Sequence, residues 1–159
     1  MIVGAACRAQ DRTCTEENEM EEIAIKAGGY LSAMVGLGHC FFFRGFGWEE
    51  DLEKTRVLTA KILYTIHLFL IPMFFFFSYA SLVHTKELAG GTPLGLAMST
   101  FYAAFWIIRE FWQLIYFKPT PSLVNGFEKL LPLHYFLVTC FIVLSAAYAF
   151  PLLSHLLTS

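Results

Sequence analysis

Four long apolar stretches, separated by short polar ones, take up nearly everything after Lys26, at positions 27–48, 57–84, 92–117 and 132–157. Each exceeds the ~20 residues a helix needs to cross a hydrocarbon core of ~30 Å. Inside lipid every backbone N–H and C=O must be paired within the protein, so segments of this length read as helices. The expected fold is therefore all-α, a four-transmembrane-helix up-down bundle with short loops.

The chain has 159 residues, 57% hydrophobic and 15% charged, enough for one compact unit. Soluble domains average about 25% charged residues, and here the charges are pushed into the connections. Residues 1–22 are polar and read as a flexible tail ahead of an integral membrane domain at 23–159, with Met20 as an alternative start. The apolar opening at 2–6 is too short for the core of a signal peptide. A net charge of −2 gives no electrostatic footprint for nucleic acid; the expected surroundings are membrane lipids and other membrane protein subunits. Cys7, Cys14, Cys40 and Cys140 match no zinc spacing. Cys40 and Cys140 fall at similar depth in the first and fourth spans, where a disulfide is stereochemically conceivable.

Gly28, Ser32 and Gly36 recur every fourth residue, the small-residue spacing that lets two membrane helices approach closely. Phe74, Phe75, Phe76 and Phe77 cover every side of the second span, so some of them face outward. Pro72 predicts a kink. Residues 85–91, with Gly90, Gly91 and Pro93, read as a turn, and 122–131 as a short helix lying in the interface. Arg44, Lys54, Arg56, Lys61, Lys118 and Lys129 flank one membrane face, against Lys26 and Lys86 near the other. The excess of Lys and Arg in cytoplasmic loops puts both termini on the outer side, in what reads as a bacterial inner membrane.

Polar residues inside the spans gather toward the cytoplasmic side. Counted from the span ends at 1.5 Å per residue, His39, His67 and Arg109 lie about 13, 16 and 13 Å deep. Glu110, Gln113 and His134 lie slightly shallower, and Tyr64 shares the His67 stripe of the second span. An intramembrane guanidinium at Arg109 demands a partner, and Glu110, its neighbour, points about 100° away. His84 and His155 read as caps at the outer ends, and Trp48 and Tyr116 as belt anchors.

Three readings compete for this cluster. In the first, the histidines and Arg109 make interhelical hydrogen bonds in an accessory or structural subunit of a larger assembly. In the second, His39 and His67 are the axial ligands of a b-type haem, with Arg109 at a propionate. In the third, Arg109 holds the head of a quinone, lipid or other amphiphile, or belongs to a proton path. No catalytic motif stands beside them: there is no H-E-x-x-H, no E-x-x-H and no aspartate in any span, so a stand-alone enzyme is not expected.

The run Phe105-Trp106-Ile107-Ile108-Arg109-Glu110-Phe111-Trp112-Gln113, with Phe117, His134 and Tyr148 downstream, resembles uncharacterised small bacterial membrane proteins. Their third helix reads F-W-x-x-R-x-x-x-Q and precedes an aromatic-rich fourth. The resemblance covers the second to fourth spans and implies four transmembrane helices, with Arg109 and Gln113 on one helix face and no known activity. The polar residues 1–22 have no counterpart in that pattern.

Overall fold

A computed structural model describes residues 3–45, 47–117 and 127–158, with side chains from position 18 onward apart from 43, 127–130 and 158. Every element in it is helical: α1 (Val3–Gly45), α2 (Trp48–Glu53), α3 (Val57–Val83), α4 (Thr85–Ala89), α5 (Pro93–Ile115) and α6 (Phe127–Thr158). Of the four spans read from the sequence, two are long and apolar enough by themselves to cross a membrane, Val57–Val83 in α3 and Leu131–Leu157 in α6. The reason α1 and α5 fall short is visible in their residues. Lys26, His39 and the glycines at 28, 29, 36 and 38 dilute the later half of α1, and Arg109, Glu110 and Gln113 interrupt α5. From Val3 onward the polar residues expected as a tail are part of α1, and Glu21 near its middle is buried. The expected interface helix at 122–131 lies mostly outside the described residues.

Among the buried positions of α1, Glu21, Ile25, Gly28, Ser32, Val35 and His39 follow alternating steps of four and three, with Gly29 and Gly36 buried beside them. A similar spacing of three and four residues runs through Gly95, Ser99, Tyr102, Trp106, Glu110 and Gln113 of α5. A seam that repeats every seven residues keeps one face toward neighbouring helices that cross at shallow angles. The long helices accordingly close a ring. α1 packs on α3 and α6, and α6 packs on α5. Phe74–Trp106 (centroids 5.6 Å apart) and Phe77–Tyr102 (4.4 Å) bridge α3 to α5. Each successive pair of long helices is antiparallel, because the contacts run in opposite order. Gly29 meets Ser81 while Gly36 meets Phe74, and Tyr102 meets Tyr148 while Gln113 meets His134.

Small residues on α1 set its distance from both neighbours. Gly28 lies against the Tyr148 ring of α6, and Gly36 against Phe74 of α3. The phenylalanine run divides as helical geometry requires. Phe74 and Phe77, three residues apart, are each 2% exposed, whereas Phe76 is 55% exposed. Phe74, Trp106 and Phe141 then stack across the middle of the ring, with successive planes tilted by 20° and 25°. This aromatic layer separates a half that contains the α3–α4–α5 connection from a half that contains α2.

At the α4 end the expected turn contains one turn of helix. Thr92 caps α5 by accepting from the Gly95 N–H at 3.1 Å. The His155 ring fills the space beside Gly91, and its Nε2–H donates to the Ala89 carbonyl at the end of α4 at 3.4 Å.

Candidate functional site

On the α2 side of the aromatic layer, His39 of α1 and His67 of α3 meet as buried side chains. Their rings stack with centroids 5.5 Å apart and planes 21° from parallel. Backbone carbonyls fix both tautomers, since a carbonyl only accepts. His39 Nδ1–H donates to Val35 O at 2.8 Å, and His67 Nε2–H donates to His39 O at 2.9 Å. The bond from His67 to the His39 carbonyl ties α3 to α1.

Trp48 completes the enclosure. Gly47 takes φ 64°, in the left-handed region that glycine enters without a Cβ penalty. The chain thereby turns into α2, and the Trp48 ring comes edge-on to His67 at 5.2 Å. Phe42 and Phe74 lie against His39 at 4.4 and 4.7 Å. Beside the pair a cleft of about 630 Å³ opens between α1 and α3, bordered by α2. Tyr64, Cys40 and Arg44 line it together with the two histidines.

The other polar residues of the expected cluster are held on the α5–α6 side. Gln113 Nε2 donates to Nδ1 of His134 at 3.0 Å, joining α5 to α6. The Arg109 guanidinium lies over the Phe141 ring at 4.6 Å and near Phe117 at 5.4 Å. Such cation–π contacts are worth about 0.5–2 kcal/mol. Nη1 of Arg109 is buried without a hydrogen-bond partner, and so are both carboxylate oxygens of Glu110, which is 9% exposed. Among the described residues Arg109 and Glu110 form no ion pair. The single inner cluster read from depth is thus two groups, His39 with His67 and Tyr64, and Arg109 with Gln113 and His134.

Axial ligation of a haem needs the lone pair of each imidazole aimed at one iron, with the porphyrin slotted between the two ring edges. Here the rings lie face to face, and the Nε2 of His67 donates to a backbone carbonyl. Haem b does not fit this arrangement. Among the described residues no three His, Cys, Asp or Glu side chains are grouped to hold a metal ion. Cys40 and Cys140 are both free thiols.

A second polar centre, on the α4 side of the aromatic layer, escaped the sequence reading. The buried Tyr148 hydroxyl shares hydrogen bonds with Ser81 Oγ at 2.8 Å and Ser32 Oγ at 3.3 Å, tying α6 to α3 and α1. Its signal in the sequence was a tyrosine within an apolar stripe, with serines at matching depth on two other spans. Comparison with protein families, curated proteins and solved structures gives no match to this chain.

Proposed function

We propose that this chain is a small integral membrane protein with four transmembrane helices, α1, α3, α5 and α6, and that it serves as an accessory subunit of a larger membrane assembly. The carrying observation is the outer surface. Tyr30, Met34 and Phe41 on α1, Ile62, Phe69 and Phe76 on α3, Ile107 and Phe111 on α5, and Phe136 and Ile142 on α6 are all exposed. Soluble monomers rarely expose an apolar patch beyond a few hundred Å², and this one continues around all four helices. Only 33% of the apolar window in α3, and likewise in α6, is buried, whereas the core helix of a soluble protein would be mostly covered. The polar interruptions of α5 are compatible with a span, because Glu110 and Gln113 face inward and Arg109 is half-buried against aromatic rings.

In this reading the Lys- and Arg-rich connections are cytoplasmic and both termini lie outside, as in a bacterial inner membrane. The partner argument rests on the outward aromatic side chains, the residue type enriched at protein interfaces, together with internal polar bonds that tie helix to helix. Extraction in digitonin followed by native electrophoresis tests it. The expected band is a discrete species well above the 18.1 kDa monomer that contains other membrane proteins. A fully stable monomer with an activity of its own would refute the accessory role.

A further inference from the structure

We propose that the cleft between α1 and α3 binds an amphiphile with a primary ammonium head and an apolar tail. Its volume of about 630 Å³ lies in the range of small-molecule sites, roughly 300–1,000 Å³.

The hydrogen-bond inventory selects the head. His39 Nδ1–H is given to Val35 O, and His67 Nε2–H to His39 O. A neutral imidazole with one nitrogen donating keeps the other as an acceptor. His39, which lines the cleft, therefore keeps Nε2 as an acceptor, and a ligand bonded to it must bring the proton. A carbonyl head such as a quinone brings none. Charge points the same way: Glu49 and Glu53 of α2 line the cleft against the single cation Arg44, so an anionic head meets net repulsion. Tyr64 also lines the cleft, an aromatic ring of the kind whose face attracts ammonium groups. Leu68 and Ile71 form the apolar wall, and Leu68 is continuous with the exposed face of α3. A tail following that wall leaves the cleft toward lipid. Arg109, the anchor expected for an amphiphile head, is not among the lining residues.

The inference rests on the membrane reading above, which fails separately if the chain stays soluble without detergent or lipid. Cys40 lines the cleft and is exposed, while Cys140 on α6 is not a lining residue, so the unmodified chain carries a reporter and a control. The protein in phosphatidylcholine nanodiscs is labelled with N-ethylmaleimide, and the rate at each cysteine is read by site-resolved mass spectrometry. Dodecylamine should slow Cys40 at least about fivefold, the effect of ~80% occupancy, and leave Cys140 unchanged. Dodecanoate should not slow it. Replacing phosphatidylcholine by phosphatidylethanolamine gives the same protection without added amine if the occupant is a lipid headgroup. The Glu49→Gln/Glu53→Gln double variant alters only exposed residues and should lose most of the protection. The proposal is overturned if neither amine source protects Cys40, if dodecanoate protects it equally, or if the double variant keeps full protection.

Discussion

Gly28→Ala probes how closely α1 seats on α6. A Cβ at this position would lie 2.8 Å from Tyr148 Cζ, 3.0 Å from Cε2 and 3.1 Å from the hydroxyl oxygen. Carbon atoms prefer about 3.5–4.0 Å, so the overlap is roughly 0.7 Å. The ring has nowhere to swing, because Ser81 and Ser32 hold its hydroxyl and Tyr102 packs edge-on at 5.1 Å. Either α1 backs away from α6 or Tyr148 loses its hydrogen bonds. Overpacking of this kind costs about 1–3 kcal/mol, and a lost interhelical hydrogen bond adds about 0.6–1.7 kcal/mol. The greater helix propensity of alanine returns up to about 1 kcal/mol. The expected net loss is about 1–3 kcal/mol, read from reversible unfolding by sodium dodecyl sulfate in mixed micelles. Gly38→Ala is the control, since its Cβ would meet only Phe42 Cε1, at 3.9 Å; it should be neutral or slightly stabilising. A Gly28→Ala variant as stable as Gly38→Ala would refute the close approach.

Three further outcomes are expected. Tyr148→Phe should lose about 0.6–1.7 kcal/mol, and a double-mutant cycle with Ser81→Ala should recover most of it as coupling; zero coupling would show that the hydroxyls do not meet. Trp106→Ala removes the middle ring of the aromatic layer and should destabilise by about 3–5 kcal/mol in the same assay, with a loss under about 1 kcal/mol counting against the layer. Glu110→Leu deletes a buried carboxylate that has no donor, so stability should rise by about 1–3 kcal/mol. A fall instead would reveal a partner that the carboxylate serves.

Which faces turn inward was legible in the sequence, because helical periodicity is a local property. Gly28, Ser32 and Gly36 do line the approach of α1 to its neighbours, and two of the four consecutive phenylalanines point outward as their spacing demands. The relative level of residues on neighbouring helices was legible too, since the rise per residue is fixed, and His39 and His67 do meet. Azimuth between helices was not. His39 and Arg109 lie at similar counted depth, yet His39 pairs with His67 between α1 and α3 while Arg109 lies over Phe141 of α6, and nothing local to either residue announces that division. Trp48 read as a belt anchor; the left-handed turn at Gly47 instead brings its ring to His67. The polar first half of α1 read as a tail because its composition resembles one. The buried step at Glu21 and Ile25 continues the seam of the apolar part, and only the packed structure makes that continuity plain.

The measurement closest to the central claim maps which connections share a membrane face. Single cysteines at Glu22, Asp51, Glu87 and Leu157, in a chain otherwise free of cysteine, are exposed to a membrane-impermeant maleimide applied from outside. Four spans predict labelling at 22, 87 and 157, with 51 reacting only after permeabilisation. Labelling of 22 and 51 from the same side would mean that α1 does not cross and would contradict the four-helix account.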